Sequence, residues 1–182
     1  MGLNVHAYRQ IRKLDVLFDA DGQPVDPLTR APVEGDYFRA TVNSDFPSQA
    51  EGVEHRGVYA FADEDHFWSG GYGHYGRWRE TLAKLAGYTA VLHERVPGFK
   101  PSEVMSHTVG AFEVEDGPFH ELVCFSDCEG CIGTVVSAEL ARDFAEWDDR
   151  AKATGDAWFY EKYAEWRRCF EMAADGGAVT FG

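Results

Sequence analysis

Apolar and polar positions alternate in several short stretches of the first half of the chain. Alternation with a period of two is typical of strands that have one covered face. We therefore predict strands at 3–8, 37–42, 57–61 and 89–93, and the apolar run 15–25 ends in an Asp-Gly turn. Three prolines between positions 22 and 35 predict irregular backbone there.

The last third of the chain has the 3.6-residue period of amphipathic helices. Ser137 is the expected N-cap of a helix that reaches about residue 150, and Asp156 that of a second helix that reaches about residue 174. The second helix carries an aromatic stripe that we expect in the core, formed by Phe159, Tyr163, Trp166 and Phe170. Residues 178–181 are predicted to return as an edge strand.

The segment 119–147 is predicted to be a buried strand, an acidic loop and an amphipathic helix in succession. Its strand, 119–125, is expected to pair with 111–115 across the Asp116-Gly117-Pro118 turn. Further upstream, Trp78, Leu82 and Leu85 recur at helical spacing before Gly87, which is a typical helix stop.

These elements predict one α+β domain that spans residues 1–182. Its mixed, mainly antiparallel sheet packs against two C-terminal amphipathic helices and one shorter central helix. A chain of 182 residues that is 45% hydrophobic is long enough to bury one core.

The net charge of the protein restricts the classes of molecule that we expect it to bind. The net charge is −14, and residues 113–182 contribute −10 of it. Nucleic-acid binding through phosphate neutralisation needs a basic surface, so we expect no direct nucleic-acid binding. A small molecule or a basic protein surface is the expected partner.

The sequence predicts a cytoplasmic protein that does not enter a membrane. Residues 1–8 lack the basic start and apolar core of a signal peptide, and no apolar run approaches the ~20 residues that cross a bilayer. In that compartment the four cysteines are expected to be reduced.

The Gly-rich segment 70–79 is the first candidate site. We predict a flexible loop that leads into a helix, whose free backbone N–H groups and nearby cations suit an anion. The expected ligand-binding residues are Tyr72, His74, Tyr75, Arg77 and Arg79. The alternative is a turn whose aromatic side chains cover the core. Residues 71–76 match G-x-G-x-x-G, but the preceding residues do not have the apolar character of a dinucleotide-binding strand.

The acidic loop 126–131 is the second candidate site. Asp127 and Glu129 are the expected catalytic pair, for acid–base chemistry or for holding a divalent metal through oxygen. Cys124, Cys128 and Cys131, with His120 or Cys169, are a competing zinc-ligand set. The remaining alternative is a loop that only turns the chain and caps the next helix.

Two motifs in these segments carry a resemblance. Residues 75–79 (YGRWR) and 125–133 (FSDCEGCIG), together with the start MGL, are similar to those of a group of small uncharacterised proteins from bacteriophages and bacterial genomes. The resemblance implies a phage or prophage setting and transfers no catalytic residue.

Together these features predict a soluble acidic protein with one polar pocket between the loops 70–79 and 126–131. Arg77 would hold an anionic group there, and the carboxylates would bind a cation or move a proton. The alternative function is that of a non-enzymatic interaction protein, in which an acidic surface occupies a basic site on a host protein as a nucleic-acid mimic or inhibitor.

Overall fold

A computed structural model of the protein describes residues 2–93, 104–125 and 129–182. Within these ranges the strands are β1 (Gly2–Arg9), β2 (Arg12–Lys13), β3 (Leu17–Phe18), β4 (Pro24–Val25), β5 (Tyr37–Arg39), β6 (Val58–Ala60), β7 (Asp63–Gly71), β8 (Val91–His93), β9 (Val104–Ser106), β10 (Gly130–Gly133) and β11 (Ala178–Phe181). The α-helices are α1 (Tyr72–Ala86), α2 (His107–Ala111), α3 (His120–Cys124), α4 (Thr134–Glu146), α5 (Asp148–Ala153) and α6 (Ala157–Ala173).

The largest sheet has four strands in the order β10-β11-β1-β7, and each neighbouring pair is antiparallel. This sheet and the helices confirm the predicted α+β class. Strand β11 was expected at an edge, but it lies between β10 and β1 because it forms hydrogen bonds with both. The edges of the described sheet belong to β10 and β7.

One face of this sheet is covered by helices α4 and α6. Leu3, Val5 and Ala7 alternate along β1 and are fully buried against them. Asp156 caps α6 by accepting a hydrogen bond from the Phe159 backbone N–H at 3.0 Å, as predicted. All four residues of its aromatic stripe are also fully buried. The periodicity of this helix therefore indicated the core correctly.

The opposite face is covered at one end by a small antiparallel sheet with the order β2-β6-β5. There the Tyr8 ring stacks on Phe38 with centroids 4.0 Å apart and an interplanar angle of 4°. Tyr59, Cys131 and Ala178 also belong to this second, smaller hydrophobic cluster. At the other end of the same face, which we call the open end, Asn4 is exposed and His6 is half-buried in the part of the chain that the structure describes.

The predicted strand 119–125 is wrong. Residues 120–124 form the short helix α3, and 107–111 form α2 instead of leading into a hairpin. A short apolar run suits a buried strand and a buried helix equally, so periodicity does not distinguish them. Packing against α1 and α2 buries Leu122 and Val123 completely, and this tertiary environment selects the helix.

The Gly-rich segment is not a flexible loop. Strand β7 pairs with β1 as far as Gly71, and α1 begins at once with Tyr72. Gly73 and Gly76 therefore lie inside the helix, which ends at Gly87 as predicted, in a left-handed conformation with φ 89°. Hydrogen bonds to β1 stabilise β7, whose polar sequence does not by itself predict a strand.

The strand that leads into the first C-terminal helix lies after the acidic loop and not before it. Strand β10 covers 130–133, and α4 begins directly at Thr134 with Gly133 as its N-cap. Ser137 is consequently inside the helix and fully buried, so its prediction as an N-cap is wrong.

Candidate functional site

Two of the five predicted ligand-binding residues point into the protein. The Tyr75 hydroxyl donates to the Phe125 carbonyl at 3.1 Å, and Arg79 Nη1 donates to the Val123 carbonyl at 2.9 Å. Both carbonyls lie at the C-terminal end of α3, where helical partners are lacking. These two side chains therefore join α1 to α3.

The other three predicted ligand-binding residues point outward. Tyr72, His74 and Arg77 are exposed on α1. The Arg77 guanidinium lies 5.8 Å from the ring centroid of Trp158, and the His74 ring lies 6.2 Å from the same ring. The structure therefore divides the predicted set between two sides of the helix.

The acidic loop is described only in part. Asp127 and Cys128 lie outside the described residues, so the Asp127/Glu129 pair stays a prediction. Glu129 is exposed, and its backbone carbonyl accepts a hydrogen bond from Asn43 Nδ2 at 2.9 Å. Phe125, the last described residue before the loop, accepts a hydrogen bond from the Tyr75 hydroxyl through its backbone carbonyl.

The predicted cysteine ligands that the structure describes lie in two hydrophobic clusters. Cys124 and Cys169 belong to the main cluster and Cys131 to the smaller one. Burial raises the pKa of Cys124 to about 11 and the pKa values of Cys131 and Cys169 to about 12, so all three are thiols at neutral pH. Over residues 2–93, 104–125 and 129–182, no three His, Cys, Asp or Glu side chains are grouped to hold a metal.

Cys124 has a histidine neighbour, but the pair is not arranged for nucleophilic catalysis. His120 Nε2 lies 3.5 Å from the Cys124 sulfur and 3.1 Å from the carbonyl oxygens of Ala111 and Val114. A nitrogen between two carbonyls carries the proton and donates it. It therefore has no lone pair with which to take the proton of the thiol.

The start of α2 binds an anion that belongs to the protein itself, the carboxylate of Glu80. Its carboxylate accepts from the backbone N–H of His107 at 2.7 Å and of Thr108 at 3.0 Å, and from the Ser106 hydroxyl at 2.9 Å. Burial by itself raises the pKa of Glu80, but these hydrogen bonds outweigh it and hold the pKa below its ordinary value. This helix-capping carboxylate was not predicted from the sequence.

The open end of the main sheet presents a row of polar side chains. Asn4 and His6 alternate with buried residues along β1, and Thr180 of β11 is paired with His6. Arg39 at the end of β5 and Thr41 just after it lie over this end of the sheet. Together they form a depression of about 230 Å³. The residues that line it include Asn4, His6, Arg39, Thr41, Gly130 and Thr180.

Neighbouring side chains orient His6 within this row. Its Nδ1 lies 2.7 Å from a carboxylate oxygen of Glu64, and its ring stacks on His66 with centroids 5.6 Å apart. Because Nδ1 faces a carboxylate, Nδ1 carries a proton. The Nε2 atom has no hydrogen-bond partner in the part of the chain that the structure describes, so it is available to a ligand.

Arg39 is the cation of this depression. It is exposed, and its guanidinium lies 4.6 Å from the ring centroid of Phe18. Among the described residues it forms no ion pair, whereas Arg167 and Arg168 pair with Glu171 and Asp65. A guanidinium presents a planar fork of N–H donors that suits carboxylate and phosphate groups.

A larger depression of about 430 Å³ lies between residues 12–16 and 26–34. Asp15, Asp26 and Glu34 line it together with Arg12. The Asp26 carboxylate is occupied by its own turn, because it accepts from the backbone N–H of Leu28 and Thr29. Much of this wall is irregular backbone, which positions functional groups less well than strands do.

The site on the open end of the sheet was not predicted from the sequence. The alternation in β1 does place Asn4, His6 and Tyr8 on one face, which is the signal that was available. It does not show that Thr180 and Arg39, which are distant in the sequence, lie beside His6.

Comparisons with known proteins add no assignment. A scan against protein-family models, a search of curated proteins and a search of solved structures each found no match. The phage setting therefore stays a prediction from the two motifs. No helix in the described residues has the length and apolar character needed to span a membrane.

Proposed function

We propose that this protein binds a small anionic ligand in the depression at the open end of the main sheet. One observation carries the proposal: Arg39, which forms no ion pair among the described residues, lines this depression together with His6, Thr41 and Thr180. The Thr41 hydroxyl supplies a further donor, whereas the Thr180 hydroxyl is hydrogen-bonded to the Tyr8 side chain. The proposal keeps the expected ligand class but moves the site from α1 to the sheet.

The chemistry of the site favours a small anion over a polymer. A hydrogen bond to a charged group contributes about 1.5–3 kcal/mol, so the Arg39 fork can hold one carboxylate or phosphate. The net charge of −14 repels a polyanion over distances of about the 8–10 Å Debye length. A small ligand meets less of this repulsion than a chain of phosphates.

The alternative, an acidic surface that mimics nucleic acid, has weaker support. On the C-terminal helices, Arg167 forms ion pairs with Asp148 and Glu171, and Lys162 forms one with Glu165. These cations partly neutralise the carboxylates that a mimic would present. The polar depression is therefore the better-supported site.

Nuclear magnetic resonance titration of the ¹⁵N-labelled protein tests the proposal. With inorganic phosphate or acetate as probe, we expect the largest amide shifts at Arg39, Thr41, Gly130 and Thr180. Arg39→Gln should weaken binding by about tenfold or more, because it removes a charge-assisted hydrogen bond.

Arg142→Gln is the matched control, because Arg142 is exposed on α4 and its variant has the same loss of charge. We expect it to change the affinity by less than about twofold. Shifts confined to Tyr72–His74 at the start of α1 would contradict the proposed site, as would an equal loss of affinity in the two arginine variants.

A further inference from the structure

The edge strand β7 carries an exposed tryptophan beside the proposed site. Trp68 is 61% exposed, whereas Trp78 and Trp166 are 1% and 0% exposed. It is paired with Asn4, which lines the depression, and His66 two residues before it is paired with His6. Paired residues of antiparallel strands share a face, so the indole lies on the same face as the depression.

The position of this indole depends on a glycine. Trp68 lies against Gly2 of β1, where an added Cβ would come within about 2.5 Å of the indole Nε1. Any larger residue at position 2 would therefore move the ring. The absence of a side chain at position 2 lets the indole lie close to the strand while most of its surface stays accessible.

The sheet order sets the distance between the strand that carries the indole and the strands that line the depression. Thr180 lies on β11, His6 on β1 and Trp68 on β7, and Arg39 adjoins the β11 and β1 side of this row. Neighbouring strands are about 4.8 Å apart. Trp68 therefore lies on the strand next to β1 and two strand spacings, about 10 Å, from β11, so a ligand that fills the depression and contacts the indole spans about 5–10 Å.

From this arrangement we infer that the ligand is a small aromatic anion of the size of a nucleoside monophosphate, whose ring stacks on Trp68 while its anionic group binds Arg39. This inference rests on the proposed anion site and adds a stacking contact between an aromatic ring of the ligand and Trp68. Stacking of a base on an aromatic side chain contributes roughly a five-fold to hundred-fold gain in affinity, and exposed Trp provides a large stacking surface.

The test compares two phosphate-bearing probes, of which only one carries an aromatic base. Adenosine monophosphate and ribose 5-phosphate are titrated into the ¹⁵N-labelled protein, and the affinities are taken from the shifts at Arg39, Thr41 and Thr180. We expect adenosine monophosphate to bind at least about tenfold more tightly. Trp68→Ala should remove this difference, whereas Arg39→Gln should weaken both probes.

Gly2→Ala is the second variant, because it keeps the tryptophan but displaces it. It should reduce the preference for adenosine monophosphate without affecting ribose 5-phosphate. Trp158→Phe is the control, since Trp158 is half-buried on α6 and lies near α1. Circular dichroism of each variant verifies that it is folded.

The outcomes separate the two proposals. Equal affinities for the two probes, with both dependent on Arg39, overturn the aromatic ligand and leave the anion site standing. If neither probe shifts the amides around Arg39, both proposals fail. A preference for adenosine monophosphate that persists in Trp68→Ala also overturns the inference.

Discussion

At the scale of single residues, the hydrogen bonds of Glu80 make a direct prediction about stability. Glu80→Ala should lower the free energy of unfolding by about 1–3 kcal/mol, because the N–H groups of His107 and Thr108 lose their acceptor. Urea unfolding measures the change. Glu161→Ala, at an exposed position of α6, is the control and should change stability by no more than about 0.5 kcal/mol.

The same carboxylate predicts a pH dependence with a definite sign. The folded-state pKa of Glu80 is below its ordinary value of 4.5, so its charged form stabilises the protein above that pH. This contribution is lost as the pH falls from 4.5 through the lower folded-state pKa. The stability difference between the native protein and Glu80→Gln should therefore shrink below about pH 4.5. A constant difference down to pH 3 would contradict this role.

At the scale of secondary-structure elements, α1 and α3 are joined by Arg79. Arg79→Met should lower the free energy of unfolding by about 1.5–3 kcal/mol, since the Val123 carbonyl loses a charged donor. Arg77→Met is a matched control on the exposed side of the same helix, and we expect a change within about 0.5 kcal/mol. Equal losses in thermal or urea unfolding would mean that Arg79 does not have this structural role.

The elements also show where sequence periodicity is informative. Helix α6 was predictable because its four aromatic residues recur at helical spacing after the Asp156 cap. Helix α3 was not, because its five residues are too few for a period to be recognised. Strand β7 was missed for a different reason: Asp63, Glu64 and Asp65 have low intrinsic strand preference, and pairing with β1 outweighs it.

At the scale of the whole molecule, the net charge of −14 predicts how salt affects stability. Like charges repel one another in the folded protein, and salt screens this repulsion. Raising sodium chloride from about 20 to 200 mM at pH 7.5 should therefore raise the melting temperature in a thermal unfolding experiment.

Near pH 4.8, the isoelectric point expected from the sequence, the same increase in salt should have little effect. This measurement is the internal control. A melting temperature that falls with salt at pH 7.5 would indicate that ion pairs such as Arg167 with Glu171 dominate over the net repulsion.

The sequence by itself determined the α+β class, the aromatic core face of α6, the caps at Asp156 and Gly87, and the acidic character of the protein. These properties depend on residues within a few positions of one another or on composition alone. The tertiary structure decided that 120–124 is helical, that β11 is an inner strand, and that Tyr75 and Arg79 point inward.

Only the tertiary structure brought His6, Arg39, Trp68 and Thr180 to one end of the sheet. The physical reason is that strand order and register arise from hydrogen bonds between residues that are distant in the sequence. His6 pairs with Thr180 across almost the whole chain, and no local pattern specifies that partner.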